Sequence, residues 1–188
     1  MEKISMKNKI AAWLLGILFI GPTWATTISI QPSSLTMAAG QIFSLNVDIA
    51  QVIDLYAFQL DVNFNPAVLS AVSVSEGPFL PSGGTTVFVP GTIDNFGGTI
   101  TFNADSLVGL IPGMTGNGTL LTLDFMALAT GSSSVELSNE ILLDSNFGII
   151  TADNVGSVIT VQAIPEPNTW GLVAIAFVAS IWIRRQKC

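Results

Sequence analysis

Phe43, Leu45, Val47 and Ile49 alternate with Ser44, Asn46 and Asp48, and Phe58, Leu60, Val62 and Phe64 alternate with Gln59, Asp61 and Asn63. A period of two puts each apolar set on one face of an extended strand and each polar set on the other, so both segments are strands buried on one side. The same pattern predicts strands over residues 69–75, 85–89, 99–102, 120–128, 134–137 and 157–161. Turn signals fall at Gly83, Gly97, Gly113, Gly116 and Gly131, and longer loops are expected around residues 76–84 and 108–118. No ten-residue segment between the termini carries a helical period. About eight half-buried strands must cover their apolar faces against one another. The expected fold is therefore all-β, an antiparallel β-sandwich of jelly-roll or Greek-key type.

The chain has 188 residues, enough for one ordinary domain between two terminal segments. Hydrophobic residues make up 49% and charged residues 10%, a balance that excludes a disordered chain. All six basic residues, Lys3, Lys7, Lys9, Arg184, Arg185 and Lys187, lie at the two ends. Residues 26–163 hold none, against eleven acids: Asp48, Asp54, Asp61, Glu76, Asp94, Asp105, Asp124, Glu136, Glu140, Asp144 and Asp153. A domain without cations cannot neutralise phosphates, which excludes nucleic acid and anionic lipid as its partners. Its carboxylates have no basic neighbour in the domain, so their repulsion must be relieved by solvent, a metal or distance. The lone cysteine, Cys188, leaves the domain without a disulfide.

The same inventory excludes most catalysis. Without histidine no Ser-His-Asp or Cys-His system can be assembled, and without histidine or cysteine in the domain ordinary zinc sites fail. No domain lysine is present for a Schiff base or a phosphate loop. Only carboxylate chemistry remains, and a glycosidase would need two of Asp61, Glu76, Asp94 and Asp105 to meet. Nothing in their spacing requires that, so no catalytic or metal-binding residue is assigned and the chain is expected not to be an enzyme. Asp94-Asn95, Asp144-Ser145-Asn146 and Asp153-Asn154 offer hard oxygen ligands suited to Ca²⁺, but EF-hand spacing is absent and these are ordinary turn residues. Asn117-Gly118-Thr119 is likewise taken as a Gly-rich turn. The domain has one tyrosine, Tyr56, and no tryptophan, while Phe79, Phe88, Phe96 and Phe147 are the phenylalanines placed for exposure. A flat aromatic strip for stacking sugars is not indicated.

The ends carry addresses. Lys3, Lys7 and Lys9 precede an apolar run over residues 10–20, and Thr23, Trp24 and Ala25 follow as the cleavage region, so residues 1–25 form an expected secretory signal peptide. Residues 170–183 are uncharged and apolar and stop at Arg184 and Arg185. They are expected to form a C-terminal transmembrane helix with the domain outside and the C-terminus in the cytoplasm. At about 1.5 Å per residue this segment reaches only about 21 Å, short of a ~30 Å hydrocarbon core. Pro165, Glu166 and Pro167 immediately precede it, and this order resembles the PEP-CTERM sorting signal of Gram-negative bacteria over residues 164–188. The resemblance implies an exosortase-type processing enzyme as a partner, cleavage near the Pro-Glu-Pro and at least transient membrane anchoring, the alternative being a permanent tail anchor.

Within residues 26–163, Tyr56-Ala-Phe-Gln-Leu-Asp-Val-Asn-Phe-Asn-Pro-Ala-Val-Leu69 is followed in order by Gly98-Thr-Ile-Thr-Phe-Asn-Ala104, by Gly118-Thr-Leu-Leu-Thr-Leu-Asp-Phe-Met-Ala127 and by a segment from Gly131 to Leu137. This succession resembles cohesin domains, which share their sandwich with certain carbohydrate-binding modules. It implies a noncatalytic receptor for a dockerin, a small Ca²⁺-loaded helical module, docked on the sheet face that includes the strand from Phe58 to Phe64. On that strand Gln59, Asp61 and Asn63 point outward as candidate partner-binding residues, and no aromatic or basic hot spot accompanies them in the row. The expected function is a noncatalytic extracellular or cell-surface binding module for a dockerin-bearing protein or a polysaccharide. The alternatives are a structural matrix protein without a specific ligand, or the carboxylate glycosidase.

Overall fold

The computed structural model of the protein describes residues 25–163, which form twelve β-strands and no helix. In chain order these are β1 (Thr26–Gln31), β2 (Ser34–Ala38), β3 (Ile42–Asn63), β4 (Leu69–Glu76), β5 (Thr86–Val89), β6 (Thr92–Asp94), β7 (Thr99–Leu107), β8 (Met114–Ala127), β9 (Gly131–Asp144), β10 (Ile149–Ile150), β11 (Ala152–Val155) and β12 (Ser157–Gln162). The expected signal peptide apart from Ala25, the Pro165-Glu166-Pro167 motif, the apolar segment and Arg184 and Arg185 lie outside the described residues. Among the described residues no helix is long and apolar enough to cross a membrane.

The two alternating segments that anchor the sequence reading are one continuous element. Residues 42–49 of β3 pair with β8, and residues 46–50 also pair with β1. Residues 57–63 instead lie between β7 and β9. Between the halves, Gln51 and Asp54 adopt left-handed φ values of 58° and 62°, which redirect the chain. The first sheet therefore runs β4-β8-β3-β1-β11, and the second runs from β5 and β6 through β7 to the later half of β3 and on to β9. The first residues of β9 pair with β12, which pairs in parallel with β2.

The structure corrects the expected element bounds. Residues 114–118 were expected in a loop and the Asn117-Gly118-Thr119 stretch in a turn, yet both belong to β8. The side chains of Thr115 and Asn117 accept the N–H groups of Asp54 and Gln51, at 3.0 and 2.6 Å, so tertiary pairing with the bent part of β3 overrides turn composition. β1 and β2, absent from the expected set, add strands at the N-terminal side.

One core serves both sheets. Leu45, Val47 and Ile49 from the early half of β3 meet Phe58, Leu60 and Val62 from its later half, with Leu121, Leu123 and Phe125 from β8 and Ile100 from β7. At one end of this layer the ring of Phe125 stacks on Phe43 at 5.9 Å and meets Phe64 edge-on at 5.2 Å. Phe79, expected to be exposed, is buried instead. Its ring lies over Gly118, where a Cβ would come within 2.5 Å of it, so the glycine in β8 makes room for an aromatic cap on the core.

Candidate docking face

The later half of β3 buries Phe58, Leu60 and Val62 and turns Ala57, Gln59, Asp61 and Asn63 outward. Register then fixes what lies beside them. Val87 of β5, Ser106 of β7, Ala57 of β3 and Leu143 of β9 form one row across the sheet. Val89, Ala104, Gln59 and Ile141 form the next. Three of the four groups in each row are apolar, and Val87, Val89 and Ile141 are exposed.

Asp61 sits where the register shifts on both sides. Leu60 pairs with Asn103 and Val62 with Ile100, so Thr101 and Phe102 together oppose Asp61 in a β-bulge. On the other side Gln59 pairs with Ile141 and Asp61 with Ser138, so Asn139 and Glu140 together oppose Leu60. Phe102 and Asn139 both take left-handed φ values, 61° and 52°. The Asp61 carboxylate braces both: Oδ1 accepts the Phe102 N–H at 2.6 Å and Oδ2 accepts the Asn139 side-chain N–H at 2.7 Å. Asn63 donates to the Ser138 hydroxyl at 2.7 Å. Gln59 lies between Ala104 and Ile141 with no side-chain bond among the described residues. The three candidate residues thus share one face, but Asp61 is a brace and Gln59 is the unengaged amide.

The bulge also supplies the aromatic group that the sequence reading did not place on this face. Strict alternation from Ile100 would send Phe102 into the core. The extra residue turns it outward instead, and it is 58% exposed beside Asp61. No local signal marks the bulge except the run Thr99-Ile-Thr-Phe-Asn103, in which a polar Asn takes the inward position.

One end of the face is closed by loops tied to Asp54. Its Oδ1 accepts the Gly113 N–H at 2.6 Å, and its Oδ2 accepts the Ser145 hydroxyl at 2.7 Å. Those bonds, the Ser145 hydroxyl first, hold the Asp54 carboxyl below the ordinary carboxylate range. Beside this tie, Tyr56 donates its hydroxyl to the Gly109 carbonyl at 2.7 Å and meets Phe147 edge-on. Tyr56, Leu110, Ile111, Pro112 and Phe147 line a shallow pocket of about 270 Å³. Phe147 is exposed there, as expected, whereas Phe88 is only partly exposed and packs against the core. Phe96 is exposed in the 95–98 turn.

Two of the three acidic stretches expected to be turns are turns, whereas Asp153 and Asn154 lie in β11, paired with Thr27 and Ile28 of β1. Asp94 Oδ1 accepts the N–H groups of Phe96 and Gly97, and Asp144 Oδ1 accepts those of Asn146 and Gly148. Among the described residues no group of three or more acidic side chains is placed to hold a metal ion. Of the four carboxylates considered for a glycosidase, only Glu76 and Asp105 face each other, and Asp105 is sealed within the core, out of reach of a substrate.

Solved structures share this architecture. A non-cellulosomal cohesin from the hyperthermophilic archaeon Archaeoglobus fulgidus aligns with a TM-score of 0.60 and 15% identity over 76% of this chain and 95% of that one. The third cohesin of ScaC, solved in complex with the ScaB dockerin from Acetivibrio cellulolyticus, aligns with a TM-score of 0.60 and 16% identity, over 73% and 99%. A type II cohesin domain from the cellulosome of Acetivibrio cellulolyticus gives 0.57 and 20%, over 71% and 95%. No curated protein matches the chain. The family model of the cohesin domain matches residues 27–163, the span of the sandwich. This chain belongs to the cohesin family.

Proposed function

We propose that this protein is a noncatalytic receptor that seats a dockerin module on the outer face formed by β5, β7, the later half of β3 and β9. The observation that carries this reading is the exposed apolar surface of Val87, Val89, Phe102 and Ile141, with the half-buried Leu143 beside it, set against the polar edge of Asp61, Asn63 and Ser138. An apolar centre bordered by hydrogen-bonding groups is how a specific protein interface is built. Solved cohesin relatives in the same fold are bound to dockerins. Gln59 contributes an amide within the apolar rows and Asn63 one at their edge, while Asp61 holds Phe102 in place.

The domain works outside the cell. The signal peptide exports it, and the Pro165-Glu166-Pro167 motif with Arg184 and Arg185 delivers it through an exosortase-type enzyme to the surface or surrounding matrix. Mass spectrometry of the mature chain tests the sorting step: a C-terminus near Pro165 is expected, and one at Cys188 would contradict processing.

Titration calorimetry of the full chain against a panel of Ca²⁺-loaded dockerins tests the docking step. Ala104→Arg places a long cation in the middle of the apolar rows and is expected to weaken binding at least about 100-fold, as loss of a central interface contact does. Unchanged binding by that variant, or binding by no member of the panel, would count against the proposal.

A further inference from the structure

Two residues on the inward face of β7 are polar and buried, and they are treated very differently. Asn103 is satisfied throughout: its Oδ1 accepts the Gly91 N–H at 3.1 Å, and its Nδ2 donates to the carbonyls of Leu60 and Ile100. Asp105 is 2% exposed, and neither of its carboxylate oxygens receives a hydrogen bond from a donor among the described residues. It pairs with Phe58 on one side and Phe88 on the other. The polar group that faces it is the carboxyl of Glu76, the last residue of β4 in the other sheet. Glu76 has a donor of its own, the Thr86 hydroxyl of β5.

Two carboxylates offer acceptors only, so this contact becomes a hydrogen bond only when one of them carries a proton. No base competes for that proton, since residues 26–163 contain no Lys, Arg or His. The other charged groups on the surrounding strands are engaged elsewhere. Asp61 of β3 is bonded on the outer face, Asp94 of β6 caps its own turn, and Asp124 of β8 accepts the hydroxyls of Ser44 and Ser73. Tyr56 of β3 is bonded to Gly109. Exclusion of water and the neighbouring like charge both favour the protonated form of Asp105.

We propose that Glu76 and Asp105 form a buried proton site in which Asp105 donates to Glu76, tying β4 of the first sheet to β5 and β7 of the second. Burial first, and then the Glu76 charge, pushes the Asp105 pKa up to about 7. The raised value means the folded state holds the proton more tightly than the unfolded chain. Its stabilisation is complete below the ordinary value of 3.8, declines as pH rises toward about 7 and is lost above it. The bond lies directly behind β5, whose Val87 and Val89 form one edge of the outer face, so proton release loosens that edge. The site stands independently of which partner the face binds.

Carboxyl-carbon NMR titration of the full chain reads the site directly. The Asp105 signal is expected to titrate near neutrality, and the amides of residues 86–89 are expected to exchange faster above that midpoint once intrinsic rates are corrected. Glu76→Gln removes the like charge and supplies a permanent N–H donor, so the Asp105 midpoint is expected to fall below the wild-type value and the pH at which β5 exchange quickens to fall with it. In Asp105→Asn the folding equilibrium is expected to lose a decline approaching tenfold per pH unit between about pH 4 and about pH 7. Should that variant fail to fold, the wild-type titration decides alone. A wild-type Asp105 signal that titrates at the ordinary carboxylate position overturns the proposal. So does Ca²⁺ at neutral pH that shifts this signal and protects β5, since the pair would then be a cation site.

Discussion

The two sheets obey the same alternation but end in opposite surfaces. Outward from the first sheet, Ser44, Asp124 and Ser73 form one row, Asn46, Thr122 and Ser75 the next, and Ser29, Asp48 and Thr119 lie beyond. These groups satisfy one another: Asp124 takes bonds from Ser44 at 2.6 Å and Ser73 at 2.7 Å, Thr119 donates to Asp48 at 2.6 Å, and Thr122 donates to Asn46 at 3.1 Å. The central rows outward from the second sheet are Val87, Ala57 and Leu143, then Val89, Ala104 and Ile141, with Ser106 and Gln59 as their polar members. The polar rows of the first face bond to one another, with Ile42 and Val72 exposed on β3 and β4, whereas the second face gathers its exposed apolar groups in adjacent rows. That difference, more than any single residue, is the ground on which the second face is proposed as the docking side.

The largest effect should be blind to the contrast. Leu60 of the second sheet and Leu123 of the first are both fully buried, and replacing either by alanine is expected to cost about 3 kcal/mol, within the range of roughly 2–5 for such cavities. Chemical denaturation checks this, and a large inequality between the two would show that the sheets do not share one core. Asp61→Ala should come next. It removes the brace from two left-handed residues and is expected to cost about 1–3 kcal/mol, with faster amide exchange confined to Phe102 and Asn139.

Asp124→Asn on the first face should be milder, about 1 kcal/mol by denaturation at neutral pH, because that carboxylate is partly solvated. The Ser44 and Ser73 hydroxyls hold its pKa below the ordinary value, so its contribution is present above about pH 4 and is lost as the pH falls through the lowered value. The advantage of wild type over this variant is therefore expected to vanish in strong acid, the reverse of the trend set by Asp105. Smallest in stability is Ile141→Thr, expected to stay within about 0.5 kcal/mol of wild type by thermal melting because the side chain is already exposed. Loss of dockerin binding in that variant, with stability intact, would sharpen the contrast between the faces.

Most of the fold was legible because period-two alternation states which side of a strand is buried. Both halves of β3, with Phe43 to Ile49 and Phe58 to Phe64, follow from it directly. What alternation could not show is where it breaks. Phe102 lies in step with Ile100 and so belongs to the core on paper, and only the bulge opposite Asp61 turns it out. Likewise Asp61 is an outward residue by pattern, but its role as a brace depends on β7 and β9 meeting it from both sides. The glycine-rich start of β8 misled for a related reason, since Thr115 and Asn117 are turn residues by composition and sheet residues only because β3 bends beside them. The facing of Glu76 and Asp105, about thirty positions apart in the chain, was a product of sheet packing that no local pattern encodes.

Amide exchange of the full chain with and without a bound dockerin tests the comparison most directly. Protection is expected over β5, β7, residues 57–63 of β3 and the later part of β9, with β4, β8 and β1 unchanged. Protection over the polar rows of β4, β8 and β1, with the apolar face left unaltered, would contradict it.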